Sequence, residues 1–166
     1  MNVAKCLATL ALASFLAPAQ AEKVGHVDIN FQWTGPDDKI IIESFDDPEI
    51  SGVTCFLSRF KTGGFKGAVG IADDAPDSSI SCRQTGPIQL PKKVLNGKKD
   101  GDDVFKKRTS LVFQSMQVVR FYDKKHNTLI YLVYSDRVMK GSAENSISAV
   151  PVTLWNTPKA LPNSKD

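Results

Sequence analysis

The chain has 166 residues, and its 21 Lys and Arg residues against 18 Asp and Glu residues give a formal net charge of +3. A nucleic-acid-binding domain normally carries a stronger and more clustered basic excess, so the composition does not indicate a nucleic acid as partner. No apolar run reaches the roughly 20 residues that a membrane-spanning helix needs, so we expect no membrane span.

Residues 1–21 have the composition of an export signal. Lys5 is their only charged residue, an apolar run extends from Cys6 to Ala17, and Ala19-Gln20-Ala21 is a small-x-small cleavage motif. We therefore expect a signal peptide over 1–21 that is cleaved before Glu22. Cleavage would leave 20 basic and 18 acidic residues, a formal charge of +2, on 145 residues. That length fits one domain with a sizeable core.

The alternation of polar and apolar residues predicts four strands in the first half of the chain. The first runs from His26 to Trp33 and is predicted to be half-buried. The face that it would bury carries Val27, Ile29, Phe31 and Trp33. A turn around Gly35-Pro36 leads to a second strand over 39–45, which should pair with the first. The third and fourth strands are predicted over 52–60 and 79–84.

Two cysteines would remain after cleavage, Cys55 on the third strand and Cys82 on the fourth. In an exported protein an even pair predicts a disulfide, here between neighbouring strands with Cα atoms within about 7 Å. The chain-entropy relation gives such a loop about 3.5 kcal/mol of stabilisation. The spacing is not that of a Cys-x-x-Cys redox motif.

A β hairpin over 111–138 is the longest β-prone stretch of the chain. Both of its arms carry apolar residues on both faces, and the polar segment 123–127 supplies a turn between them. Strands that are apolar on both faces need cover on both sides, so this hairpin is predicted to be central. Residues 91–96 form at most one or two helical turns, with Pro91 at the first helical position. A closing strand over 146–155 contains Pro151, which places it at an edge or bulge.

These elements predict a mainly β protein. We expect a single antiparallel domain over 22–156, a sandwich or an open barrel, with at most one short helix. Residues 157–166 are polar, include Pro158 and Pro162, and are predicted to form a flexible tail.

Several runs of the sequence together resemble the CreA family of exported bacterial proteins. They are Val27-Asp28, GPDDKI (35–40), ESFDDP (43–48), VTC (53–55), KTGG (61–64), VFKKRTSL (104–111), QVVRFYD (117–123), YLVYSD (131–136) and NSISAVP (145–151). The resemblance covers nearly the whole mature chain. It implies a single periplasmic domain without an established biochemical activity, and it brings no catalytic residues and no cofactor.

Residue types that often carry chemistry have ordinary structural interpretations here. His26 and His126 are the only histidines, and they are interpreted as surface or turn residues because no catalytic or zinc motif surrounds them. Three acidic clusters are interpreted as solvated turns, since none has the spacing of a calcium loop. These clusters are Asp46-Asp47, Asp73-Asp74 with Asp77, and Asp100 with Asp102-Asp103. We therefore predict no catalytic residue and no metal site.

Two segments could instead bind an anion. The first contains Lys61, Gly63, Gly64, Lys66 and Gly67, where glycine N–H groups could form a nest between two cations. The second is Lys106-Lys107-Arg108, at the entry to the central hairpin. If both segments lie at the same rim of the sheet, their positive fields overlap within a Debye length of about 8 Å. The alternatives are a flexible glycine-rich connection and a solvated strand end.

The leading hypothesis for function is a non-catalytic envelope protein that binds a small anion, a glycan or another protein. A periplasmic hydrolase that uses a pair of carboxylates is the alternative, because such an enzyme needs no signature motif. Two carboxylates facing each other in a pocket would favour the enzyme, and a basic surface would favour binding. A thiol redox protein is a weaker third hypothesis, which needs one of the two cysteines to be exposed and unpaired.

Overall fold

The computed structural model describes residues 20–31, 33–65, 78–108, 115–135 and 145–156. They form two four-stranded antiparallel sheets and one short helix. The first sheet has the order β1-β2-β3-β4 and comprises β1 (Glu22–Asn30), β2 (Asp38–Asp46), β3 (Val53–Lys61) and β4 (Ser78–Gln84). The second has the order β5-β6-β7-β8 and comprises β5 (Asp102–Arg108), β6 (Ser115–Asp123), β7 (Thr128–Ser135) and β8 (Asn145–Pro151). The prediction of a mainly β protein is therefore confirmed.

The predicted hairpin is central to the second sheet. Strands β6 and β7 pair with each other, and β5 and β8 flank them. The turn is closed by Asn127, whose φ of 48° lies in the left-handed region that asparagine tolerates. The carboxylate of Asp123 accepts the N–H of Lys125 at 2.9 Å, as turn aspartates commonly do. Residues 111–114 and 136–138 of the predicted hairpin lie outside the described residues.

The helix α1 (Lys92–Leu95) is a single turn. Pro91 is its N-cap and thus one position earlier than predicted, and Gly97 follows the helix with a φ of 70°. Val94 anchors the turn in the core with 2% exposure. Within the described chain no helix is long and apolar enough to cross a membrane.

The two sheets share one hydrophobic core. Phe45 on β2 stacks on Phe105 of β5, with the ring centroids 4.6 Å apart and the planes at 13°. At the other side β4 runs beside β8, where the N–H of Cys82 donates to Ser148 Oγ at 2.7 Å. Further core residues from both sheets include Leu57, Ile80, Val118, Leu129, Tyr131 and Val133. The eight described strands belong to two separate sheets and do not form one closed barrel.

The predicted disulfide is present within this core. Cys55 and Cys82 lie directly opposite each other on β3 and β4, with Cα atoms 4.0 Å apart and the sulfurs bonded. Both residues are buried, at 0% and 8% exposure. The bridge therefore ties two neighbouring strands, as predicted, and both cysteines belong to the core.

The predicted burial of the first strand is wrong. β1 ends at Asn30, so Phe31 and Trp33 lie in the loop before β2, and they are 75% and 93% exposed. Val27, within β1, is 61% exposed. The physical reason is position: β1 is the edge strand of the first sheet, and in the described residues it contacts mainly β2. The alternating pattern predicted which residues share one face of the strand. It could not predict whether another part of the protein covers that face.

Strand β5 is a second departure from the sequence interpretation. The sequence patterns predict no strand between the helical turn and the central hairpin, whereas a separate strand begins at Asp102 and pairs with β6. A register shift between Asp103 and Phe105 turns Val104 and Phe105 both towards the interior, at 3% and 5% exposure. Such a bulge interrupts the alternation of inward and outward side chains, and strands are recognised in a sequence by that alternation.

Candidate functional site

The described parts of the two segments that the sequence singled out for anion binding lie on strands that run towards the same end of the protein. Lys61, at the end of β3, pairs with Lys39 at the start of β2. Lys107, near the end of β5, reaches the first sheet and donates a hydrogen bond to Glu43 on β2. Strands β3 and β5 therefore end at the same end of the protein, here called the upper end. The overlap of their positive fields stays a prediction, because Lys107 lies beside Glu43, four residues along β2 from Lys39.

A cavity of about 470 Å³ opens at the upper end, between the start of β4, the end of β3 and the start of β8. This size lies within the range of small-molecule sites. The cavity, here called the Arg59 cavity, is lined by Ile40, Ser58, Arg59, Phe60, Ser78, Ser79 and Asn145. The lining residues thus include an arginine, three serines, an asparagine and two apolar residues, and none of the described ones is acidic. Ser58, Phe60 and Ser79 point outwards from the first sheet, whereas the side chain of Arg59 points inwards to Glu43.

Arg59 is held in place by a buried carboxylate. Its Nε donates to Glu43 Oε2 at 3.0 Å, and Lys107 donates to the other oxygen of the same carboxylate. Burial raises the pKa of Glu43, but the hydrogen bonds from Arg59 and Lys107 outweigh burial and hold the pKa below 4.5. Glu43 is therefore ionised at neutral pH. Two cations share one negative charge, so the cluster of Glu43, Arg59 and Lys107 carries a net positive charge.

Ser78 supplies an unsatisfied polar group in the wall of the Arg59 cavity. It pairs with Arg59 across β3 and β4, and its Oγ is buried without a hydrogen-bond partner among the described residues. Buried hydroxyls are normally hydrogen-bonded, and leaving one unpaired costs free energy.

The glycines of the first predicted segment pack closely against the loop before β2. The N–H of Gly63 donates to Asp38 Oδ1 at 2.7 Å, and the N–H of Gly64 donates to Pro36 O at 2.6 Å. A Cβ on Gly63 would lie 2.0 Å from Pro36 O, so only glycine fits there. Both N–H groups thus have protein acceptors in this structure. Lys66 and Gly67 of the same segment lie outside the described residues.

The cations of the second segment point in two directions. Lys106 and Arg108 are exposed, while Lys107 is half-buried and turned towards Glu43. This is the alternation that an extended strand imposes on successive side chains. Lys61 is exposed as well, so Lys61, Lys106 and Arg108 are all presented to solvent.

A buried charged network at the opposite end was not predicted from the sequence. Arg120 on β6 donates through Nη1 to both carboxylate oxygens of Asp47 at 2.6 Å and through Nη2 to Glu49 at 2.6 Å. Tyr131 on β7 donates to Asp47 Oδ2 at 2.8 Å. Asp47 is only 5% exposed, so the interpretation of Asp46-Asp47 as a solvated turn is wrong for Asp47. The sequence did contain one indication of this network. Arg120 shares a face of its strand with the apolar residues Met116 and Val118, so its charge would be buried and would need a partner.

This network shifts the pKa of its members. Burial lowers the pKa of Arg120, but the hydrogen bond and charge of Asp47 outweigh it and raise the pKa above its ordinary value. Burial, together with the charge of Asp47, also raises the pKa of Tyr131. Arg120 therefore stays charged and Tyr131 neutral. Because Arg120, Asp47 and Tyr131 are buried and bonded to one another, we assign these residues to the stability of the fold.

The histidines and the remaining acidic residues lie away from the Arg59 cavity. His126 is exposed in the β6–β7 turn with Nδ1 2.5 Å from Asp123 Oδ2, and His26 is exposed on β1. Over the ranges that the structure covers, no group of three or more His, Cys, Asp or Glu residues could hold a metal ion. Asp73, Asp74 and Asp77 lie outside those ranges, as do most of the predicted signal peptide and the predicted tail.

Comparison with known proteins places the chain in a family. The family model described as CreA protein matches residues 24–155. Protein CreA of Escherichia coli strain K12 is 59% identical over 137 residues, which cover 82% of this chain and 87% of the relative, and the proteins of the same name from Escherichia coli O6:H1 and O157:H7 match to the same extent. No solved structure matches. The breadth of these matches shows that the chain belongs to the CreA family.

Proposed function

We propose that this protein is an exported, non-catalytic binding protein that holds a small anionic ligand in the Arg59 cavity. The observation that carries the proposal is the charge balance of the cavity wall. Arg59 lines the cavity, and its only negative partner with a described ion pair, Glu43, is shared with Lys107. The shared carboxylate leaves one positive charge without an internal counterpart, which an anion would provide.

The remainder of the described wall suits a small polyoxygenated anion. Ser78, Ser79 and Asn145 offer hydroxyl and amide groups next to the guanidinium, and charge-assisted hydrogen bonds from Arg to a carboxylate or phosphate are among the strongest in proteins. Ile40 and Phe60 would cover an apolar part of the ligand. The exposed cations Lys61, Lys106 and Arg108 would raise the local concentration of anions at the cavity.

Binding is favoured over hydrolysis by the composition of the cavity. A glycoside hydrolase of the usual kind needs two carboxyl groups on either side of the scissile bond. The described lining contains none, and Glu43 behind it is held by two cations. A thiol redox function is disfavoured in the same way, because Cys55 and Cys82 are bonded to each other and buried.

The periplasm is the proposed location. The composition of residues 1–21 supports export through a cleaved signal peptide. The bond between Cys55 and Cys82 supports an oxidising compartment, because disulfides persist there and are rare in the cytosol. Mass spectrometry of the protein recovered from cells would test the proposal, with Glu22 expected as the first residue.

The binding test is a titration with small carboxylates, phosphates and sulfated or carboxylated sugars, followed by calorimetry and by amide chemical shifts. We expect at least one class to bind with shifts at Arg59 and Ser78. Arg59→Gln should weaken that binding about tenfold or more, the loss of one charge-assisted hydrogen bond. Arg83→Gln is the matched control, because Arg83 is exposed on the outer face of β4, over the Phe56 ring.

The two cations of β5 provide a second comparison. Arg108→Ala should lower anion affinity more than Lys107→Ala does, because a guanidinium grips an oxyanion in a fork and Lys107 is already bonded to Glu43. If no anion in the panel binds, or if Arg59→Gln binds as well as the parent while its circular dichroism is unchanged, the proposal is wrong.

A further inference from the structure

Three exposed aromatic side chains stand at the upper end of the protein. Phe31 and Trp33 lie in the loop between β1 and β2 and are 75% and 93% exposed. Phe65 follows β3 and is 69% exposed. Isolated exposed apolar residues are ordinary on soluble proteins, but three large aromatic rings at one end need an explanation. We call Phe31, Trp33 and Phe65 the aromatic tip.

Backbone contacts hold the two loops of the aromatic tip against each other. The N–H of Gly64 donates to Pro36 O at 2.6 Å, and a Cβ on Gly35 would lie 2.6 Å from the carbonyl carbon of Gly64. The ring of Phe31 meets that of Trp33 edge to face, with centroids 6.0 Å apart. The exposed rings are therefore carried by two loops that are fixed to each other.

Basic side chains lie on strands that lead to the end of the protein that carries the aromatic tip. Lys39 and Lys61 lie opposite each other on β2 and β3, and Lys106 and Arg108 lie near the end of β5, at the same end of the protein. Asp28 is 3.6 Å from Lys39 and offsets part of its charge. The acidic groups Asp37 and Asp38 in the adjoining loop have partners within the protein. The tip thus combines aromatic rings that project outwards with basic side chains set behind them.

We propose that the aromatic tip inserts into the interfacial region of an anionic lipid bilayer, an attachment that goes beyond the proposed ligand binding. Aromatic side chains settle at the level of lipid headgroups, and basic residues behind them are attracted to anionic lipids. The rings stand exposed on two neighbouring loops, so they suit a deformable lipid surface better than a partner with a fixed shape.

The test uses the protein expressed with its N-terminal segment, so that any processing takes place in the cell, and adds vesicles of defined composition. The chain contains two tryptophans, and in a Trp155→Phe background the fluorescence reports on Trp33 alone. With vesicles of phosphatidylcholine and phosphatidylglycerol we expect a blue shift of Trp33 emission and quenching by brominated acyl chains. Vesicles of phosphatidylcholine alone should produce a weaker response.

Variants of the aromatic tip distinguish insertion of the tip from non-specific adsorption of the protein to vesicles. Phe31→Ser combined with Phe65→Ser should lower partitioning into anionic vesicles about tenfold or more, as expected for two large apolar side chains. Leu154→Ser is the matched control, because Leu154 is 94% exposed but follows β8 at the opposite end. Equal circular dichroism and melting temperatures would show that each variant is folded.

Three results would each overturn the proposal. The first is Trp33 emission that does not change with anionic vesicles, and the second is equal partitioning of the double variant and its parent. The third is equal partitioning into uncharged and anionic vesicles. If a second protein shields Trp33 from quenchers and vesicles do not, the proposal is wrong and the tip is a protein-binding surface.

Discussion

Arg120 Nη1 lies 2.6 Å from both carboxylate oxygens of Asp47, although the two residues are 73 positions apart in the chain. The pair joins β6 of the second sheet to the loop that follows β2 of the first. The Nε of Arg120 is buried without a partner in the described structure, so the arginine depends on Asp47 and Glu49. A buried ion pair of this kind contributes little when compared with apolar residues, but removing one partner is costly.

We therefore predict that Asp47→Ala lowers the free energy of unfolding by about 3–5 kcal/mol. The change leaves the guanidinium of Arg120 and the hydroxyl of Tyr131 buried without their acceptor. Asp46→Ala removes an exposed neighbour that bonds only Thr54 in the described contacts, and it should cost about 1 kcal/mol or less. Urea unfolding measures both, and similar losses for the two variants would contradict the assignment.

Stability should fall in acid partly through Glu43. Its pKa in the folded protein lies below its ordinary value of 4.5, so its ion pairs contribute fully above pH 4.5 and are lost as the pH falls through the folded pKa. Glu43→Gln should lower stability at neutral pH and flatten the decline below pH 4.5. Urea midpoints across that range provide the measurement, with Glu22→Gln on the exposed edge strand as control. An unchanged acid slope for Glu43→Gln would refute the prediction.

The bridge between Cys55 and Cys82 should contribute about 3.5 kcal/mol to the free energy of unfolding. It closes a loop with a sequence separation of 27 and lies in the core, so reductant should act slowly on the folded protein. The double variant Cys55→Ala/Cys82→Ala, compared with the oxidised parent in urea, gives the magnitude. Detection of two free thiols by mass spectrometry without reduction would show that the bond is absent.

Gly63→Ala should lower the free energy of unfolding by about 2 kcal/mol or more, because the new Cβ would lie 2.0 Å from Pro36 O and the backbone would have to move. Gly25→Ala on β1 is the matched control, since nothing lies within 4 Å of its added Cβ. Differential scanning calorimetry compares the two. A Gly63→Ala protein that melts with the parent would contradict the close packing of these loops.

Much of the fold could be predicted from local patterns. Hairpins pair residues that are close in sequence, so the alternation in 111–138 and the turn at 123–127 were sufficient to place β6 and β7 together. The disulfide followed from the count of cysteines and the expected compartment. Whether a face is covered depends on distant parts of the chain, and for this reason the exposure of Val27 and Trp33 was not foreseen.

The candidate site was predicted only in part. The sequence identified cations at two strand ends, which the structure directs towards the same end of the protein, but the Arg59 cavity was missed. Its signal was the position of Arg59, which follows Val53, Cys55 and Leu57 on the inward face of β3. An arginine at an inward position needs a partner or a ligand. Neither Glu43 nor the opening beside Ser78 can be located without knowing how the two sheets face each other.

The exposed position of β1 has a consequence for how the protein opens. β1 hydrogen-bonds to one neighbour, contains two irregularities in register and contributes no residue to the buried core. Strands with few buried contacts detach at low free-energy cost, whereas the amides of a central pair such as β6 and β7 exchange only when most of the domain unfolds. Hydrogen exchange should therefore proceed in stages. The amides of β1 should exchange first, while the other strands of both sheets remain paired.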